Sequence, residues 1–228
     1  MGNSEPQAEQ ILKRHLRRLT EIGLALSAER DIHKLLDTIL AEARGLALAD
    51  AGTLYLLEEE SQSLRFAVLQ NDTMQTYVRA DSETGGLPPV PLYIDGEPNH
   101  SNVSSHVTLT GETINIPDVY EADDFDFTGP RKYDESTGYQ TKSMLVIPMK
   151  NYQNKVIGVL QLLNAMDAPK GELQPFSPEI VDIVASLASS ASVAITNTQL
   201  TQELSNELDH VKELQNTEKE LIRLRQHP

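Results

Sequence analysis

The side chains best suited to chemistry crowd one part of this chain, residues 100–161. An acidic, aromatic stretch at 120–136 sets Asp123, Asp124, Asp126, Asp134 and Glu135 around Phe125 and Phe127. Clustered carboxylates can hold a divalent cation, but this spacing matches no cation loop, and a solvated acidic loop is the simpler reading. His100 and His106 form the closest histidine pair and, with no further ligands nearby, read as ordinary loop and helix residues. Phe125, Phe127 and Tyr139 are a different matter. In a chain with 4 phenylalanines and no tryptophan, their concentration suggests a buried ligand. The start of the segment 101–110 is rich in small polar residues, and exposed N–H groups at a helix start can hold an anion. Gln161 is the polar break in an apolar strand, either near a sheet edge or lining a pocket. There is no glycine-rich phosphate loop, no GxSxG, no HExxH and no His-Asp doublet of a metal phosphohydrolase. The absence of cysteine removes disulfides, thiolate metal sites and thiol nucleophiles. The expected chemistry is binding, with no catalytic residue and no metal ligand.

These residues need a sheet, and the stretch 137–164 supplies its centre. Residues 142–149 and 155–163 read as two strands of a hairpin turned by Asn151, Tyr152, Gln153 and Asn154. Both strands carry consecutive apolar residues, so both sheet faces are expected to be covered. Gly158 inside the second strand predicts a close backbone neighbour. Upstream, residues 51–57 and 64–69 read as strands joined by the acidic turn Glu58-Glu59-Glu60, with Leu64, Phe66 and Val68 facing one way. Residues 70–100 form a long irregular loop, with a short edge strand at 92–94. A short helix at 101–110 closed by Gly111 and a strand at 112–116 follow.

Helices flank this core. Leu12, Leu16, Leu19, Ile22 and Leu26 form one stripe of a helix at 6–27, open to two readings, core packing or a dimer seam. Asp31 caps a second helix at 32–48, with Leu35, Leu36, Ile39, Leu40 and Ala43 on one side. Ser177-Pro178 opens a last helix to about residue 224, roughly 70 Å long at about 1.5 Å per residue. Residues 180–195 should cover the sheet, while Leu200, Leu204, Leu208, Val211, Leu214 and Leu221 form an imperfect heptad stripe. That half reads as a parallel coiled-coil stub leading towards another domain.

With 228 residues and a net charge of −15, the chain fits one domain with long flanking helices, and nucleic-acid or anionic-membrane binding is disfavoured. No apolar run approaches bilayer-spanning length and no signal-peptide core is present, so a cytoplasmic protein is expected.

The element order, with SNVSSHVTLTGETINIPDVY, DESTGYQTKSMLVIPMKN and VIGVLQLLN, resembles a GAF domain over about 32–197. The likeness is to regulatory GAF modules of cyclic-nucleotide phosphodiesterases and adenylyl cyclases, and to bacterial modules placed ahead of phosphohydrolase, cyclase or kinase domains. It implies an α+β fold, an α/β/α sandwich with a central antiparallel sheet of about six strands and long terminal helices. Residues 1–30 would be a linker and dimerisation helix, 31–199 the domain, and 200–228 a signalling helix. The resemblance places Thr53, Gln70, Asn71, Val103, Ser104, Asp134, Thr137, Thr141 and Gln161 in the pocket, with Phe125 or Phe127 covering a base, because a short insertion falls at 125–130. It implies no required cofactor. The expected ligand is a cyclic nucleotide, cyclic AMP or cyclic GMP, or another small molecule; the expected partners are a second copy and an output domain. A side-chain-filled dimerisation scaffold is the alternative. The family's Asn-Lys, Phe, Asp-Glu signature survives only as Asn164 and Phe176, so the usual internal ion pair must be replaced by another brace.

Overall fold

The computed structural model describes residues 17–82, 87–167 and 171–226, with side chains described to residue 217. Helix α1 is described over 17–28 and buries Ile22 and Leu26 in the same core as the next helix, so for these two the stripe is core packing. Leu12 and Leu16 lie outside the described residues. Helix α2, Ile32–Ala47, starts at Asp31, whose carboxylate accepts from His33 N at 2.9 Å and Lys34 N at 3.3 Å. Its apolar stripe, Leu35 to Ala47, is buried.

Six strands form the main sheet: β1 (Ala49–Glu58), β2 (Ser63–Asn71), β3 (Thr76–Arg79), then β7 (Ile114–Ile116), β8 (Met144–Lys150) and β9 (Val156–Met166). Their order is β3-β2-β1-β9-β8-β7 and all pair antiparallel. Two short strands attach to it, β4 (Val90–Pro91) on β2 and β10 (Leu173–Gln174) on β9. The edge strand expected at 92–94 is instead β5 (Tyr93–Ile94), paired with β6 (Glu97–Pro98) in a separate two-stranded ribbon.

The expected α+β class holds. Leu145, Ile147, Leu160 and Leu162 meet α1, α2 and the last helix, α5 (Pro178–Gln226), on one face. Val146 and Val159 meet α3 (Val103–Thr110) on the other. Double coverage is why these strands lack polar alternation.

One expectation about parity is corrected. Leu64 and Phe66 share a face, but Val68 joins the helix side. The β1–β2 register shifts between Leu54 and Tyr55: Tyr55 pairs with Phe66 and Leu54 with Val68, leaving Ala67 as a bulge residue. The bulge turns every later side chain of β2 over.

A second correction concerns 120–136, expected as loop. Residues Thr128–Thr137 form helix α4, closed by Gly138 at φ 76°. Pro130 sits in the first turn, where its missing N–H breaks no helical bond. Asp126 accepts from Thr128 N at 2.8 Å just ahead of that turn.

In α5, Val184, Leu187, Ala188, Ala191 and Ile195 are buried against the sheet. Contrary to expectation, Pro178–Thr217 contains an 18-residue window of mean hydropathy 1.5, enough by length and composition to cross a membrane. Of that window 39% is buried, and its buried apolar residues lie in the helix-side core.

Candidate functional site

Strand alternation alone turns Ala51, Thr53 and Tyr55 of β1 away from the helices, since Leu54 and Leu56 face them. Thr53 pairs with Gln161 on β9 and Leu69 on β2, so three strands present one row to the same space. Above that row lies a cavity of about 540 Å³, in the range of small-molecule sites. Leu87, Pro88 and Val90 wall it on one side, and Gly129, Pro130 and Tyr133 of α4 on another. None of the described residues lining it carries a charge. Among the described residues, no three His, Cys, Asp or Glu side chains group to hold a metal.

Of the residues expected at the pocket, Thr53, Asn71, Thr141 and Gln161 line the cavity together. Asn71 is there because of the Ala67 bulge. The same bulge sends Gln70 to the helix side, where its Oε1 accepts from Arg44 at 3.2 Å. Ser104 acts one shell back, its hydroxyl donating to Gln161 Oε1 at 3.2 Å. Val103 is buried in the core beneath, while its neighbour Asn102, the α3 cap, reaches the cavity. Thr137 terminates α4: its hydroxyl donates to Tyr133 O at 2.7 Å and accepts from Tyr139 N at 3.2 Å. Neither phenylalanine lines the cavity. Phe127 is buried in the core, its ring 6.3 Å from Phe125, which stands 5.3 Å from His106. Of the residues expected at the pocket, Gln70, Val103, Ser104, Phe125, Phe127, Asp134 and Thr137 stand outside the lining of this cavity.

The aromatic walls are Tyr55, Phe66, Tyr133 and Tyr139. Tyr133 and Tyr139 pack edge to face at 6.2 Å, and Tyr55 and Phe66 at 6.4 Å. Tyr139 was marked by the aromatic cluster in the sequence; Tyr133 needed the phase of α4, which apolar periodicity does not reveal.

Two buried carboxylates stand behind these walls. Asp134 accepts from Thr141 N at 2.8 Å, the Thr141 hydroxyl at 2.9 Å and the Tyr120 hydroxyl at 2.7 Å. Asp50 accepts from the Tyr139 hydroxyl at 2.7 Å and the Thr73 hydroxyl at 2.8 Å. Asn164 completes the second network, donating to Tyr139 Oη at 3.0 Å and Gln140 O at 2.7 Å and accepting from Lys142 N at 2.7 Å. This neutral-plus-carboxylate brace ties the 137–143 segment to the sheet where the resemblance leads one to expect a lysine–aspartate pair.

Burial, then the bond to Asp50, holds the Tyr139 phenol far above its ordinary range; burial pushes Tyr55 up to about 12. Both groups stay protonated in the fold. Their stabilisation is complete below about pH 10, where the unfolded phenol begins to ionise. It falls as pH rises towards the folded value of about 12 for Tyr55. Urea midpoints are expected to hold to about pH 9.5 and drop steeply above it. Tyr55→Phe should flatten that drop; a midpoint unchanged to about pH 11.5 would contradict the assignment.

A family model described as "GAF domain" matches residues 31–195. Over 100 residues the chain is 34% identical to the dual 3',5'-cyclic-AMP and -GMP phosphodiesterase 11 of Drosophila melanogaster, covering 44% of this chain and 6% of that protein. Over 112 residues it is 33% identical to dual 3',5'-cyclic-AMP and -GMP phosphodiesterase 11A of Takifugu rubripes, covering 49% and 12%. The match thus spans only a small part of these relatives. The GAF domain of an Acinetobacter phosphoenolpyruvate-protein phosphotransferase superposes with TM-score 0.60 at 18% identity, over 83% of this chain and 98% of that one, a likeness of fold alone. Family match, strand order and two-sided core agree, and the chain belongs to the GAF domain family.

Proposed function

We propose that this chain is the small-molecule-sensing regulatory module of a multidomain signalling protein, with its output domain on the same polypeptide. The observation that carries this reading is the cavity of about 540 Å³, uncharged among its described lining residues and walled by α4 and the 87–90 segment on the sheet face opposite α2 and α5. A ligand there can bias the protein only as far as it binds two arrangements of those walls differently. The output domain would be of phosphodiesterase, metal-dependent phosphohydrolase, cyclase or histidine kinase type, and kinship to two dual cyclic-AMP and -GMP phosphodiesterases supports the first of these. The cavity weighs against the alternative of a scaffold with a side-chain-filled pocket.

The relay in this reading is α5. Beyond the sheet it exposes Leu200, Leu204, Leu208, Val211 and Leu214, from 48% at Val211 to 58% at Leu204. Their spacing of four and three residues is that of a coiled-coil seam, and a parallel homodimer would cover it. Since Ile22 and Leu26 are taken up by the core, α5 carries the dimer contact. Leu204→Glu or Leu208→Glu is expected to weaken the dimer at least about tenfold by sedimentation while leaving the far-ultraviolet spectrum per residue unchanged. A wild-type monomer at high concentration would contradict the dimer.

Calorimetry with cyclic AMP, cyclic GMP and a panel of nucleotides, nucleosides and bases tests the sensor reading. Saturable binding at one site per chain is expected from at least one compound. No heat and no thermal shift from any of them would favour the scaffold.

A further inference from the structure

We propose that the cavity takes an uncharged, flat heterocycle bearing carbonyl acceptors, in preference to an anionic nucleotide. This rests on the sensor reading and adds the ligand's chemistry to it. Three amides of the lining have open hydrogen-bond valences. Asn71 Oδ1 accepts from Met74 N at 2.9 Å, Gln161 Oε1 from the Ser104 hydroxyl at 3.2 Å, and Asn102 Oδ1 from Ser105 N at 3.1 Å. Each amide thereby spends its acceptor inside the protein and leaves its NH₂ group unpaired among the described residues. Thr53, buried at 6% exposure and directly across from Gln161, has a hydroxyl with no partner among the described residues. Thr141 already donates to Asp134 and is open only as an acceptor. The polar patch is thus rich in donors, and its complement is a molecule with several acceptor oxygens.

Phosphate oxygens are acceptors too, so the sign of the local charge decides between the two. No described lining residue is a cation. The carboxylates of Asp50 and Asp134 are bonded to the wall residues Tyr139 and Thr141, while the cations near them are engaged elsewhere, Arg131 over the Tyr120 ring and on Val119 O, Arg44 on Asp72 and Asp50 O. An anion entering here loses its hydration and meets no cation among the described lining residues. That loss exceeds what a few neutral hydrogen bonds return. The start of α3 offers roughly half a positive charge, and Asn102 already occupies one of its N–H groups. No cation among the described lining residues adds to it. The rest of the lining, Tyr55, Phe66, Leu69 and Leu163 with the Tyr133 and Tyr139 rings, suits a planar apolar body.

Matched titrations of the whole chain test this: guanosine against cyclic GMP, uridine against cyclic UMP, and thymine as a bare base. At least one uncharged compound should bind about tenfold or more tightly than its phosphorylated counterpart. Thr53→Val and Gln161→Leu should each weaken it about tenfold with little change in the unliganded melting temperature. Gln161→Arg, which adds a cation, should narrow or reverse the ranking. If a cyclic nucleotide binds wild type at one per chain more tightly than its nucleoside, this inference is overturned and the sensor reading stands. If no compound of either kind binds, both are overturned.

Discussion

Gly158→Ala is expected to remove about 3 kcal/mol or more of stability, and to leave a protein that barely folds at physiological temperature. A Cβ on Gly158 would run into the carbonyl oxygen of Tyr55, with Met149 Cε at 2.8 Å and Leu56 Cα at 3.2 Å. Two of these three atoms belong to the backbone of β1, which pairs with β9 from Ala49 to Leu56. The clash is relieved only by moving the strand that carries Thr53 and Tyr55. In an ordinary strand interior the same change gains about 0.5–1 kcal/mol, so the sign itself is diagnostic. Urea unfolding followed by circular dichroism measures it. A variant as stable as wild type would mean that β1 does not lie where described.

The second large effect falls on Asp134. Asp134→Ala is expected to lower stability by about 3 kcal/mol and to weaken ligand binding about tenfold. Its carboxylate accepts both the backbone N–H and the hydroxyl of Thr141, which is 3% exposed. Removing it leaves two buried donors on Thr141 unpaired, at about 1–3 kcal/mol each. The Tyr120 hydroxyl, on an exposed residue, can turn to water and adds little. Asp134 is also the buried residue of α4, so the helix loses its principal anchor. Hydrogen exchange over 128–143 should quicken while β8 and β9 stay protected. Quickening spread evenly over the whole sheet would show that Asp134 supports the core and not this wall.

That anchor explains what was hard to read in the sequence. The central hairpin was legible because Met144 to Ile147 and Val156 to Leu163 are apolar without alternation, which only a sheet covered on both sides requires. Helix α2 announced itself by Asp31 and a stripe at helical spacing, and α5 by Ser177-Pro178. Helix α4 gave no such signal, since the side chain it buries is a carboxylate. The pocket followed the same logic. Thr53 and Gln161 lie on regular strands, where parity places them. Gln70 and Asn71 lie beyond the Ala67 bulge, which exchanges their faces, and no residue at that point marks a bulge. The aromatic cluster was visible, but which rings enter the core and which wall the cavity depended on the unseen phase of α4. Asp50, Tyr139 and Asn164 could not be joined on paper because their contacts span up to 89 residues of chain.

The cavity between the sheet and α4 is the expected binding place of a small molecule. Its most direct test is calorimetric titration of the tightest compound from the panel into wild type and into Ala51→Leu, which adds carbon atoms to the cavity floor. One site per chain in wild type, lost in a variant whose unliganded melting temperature is preserved, is the predicted result; equal affinity in both proteins would place the ligand elsewhere and contradict the account.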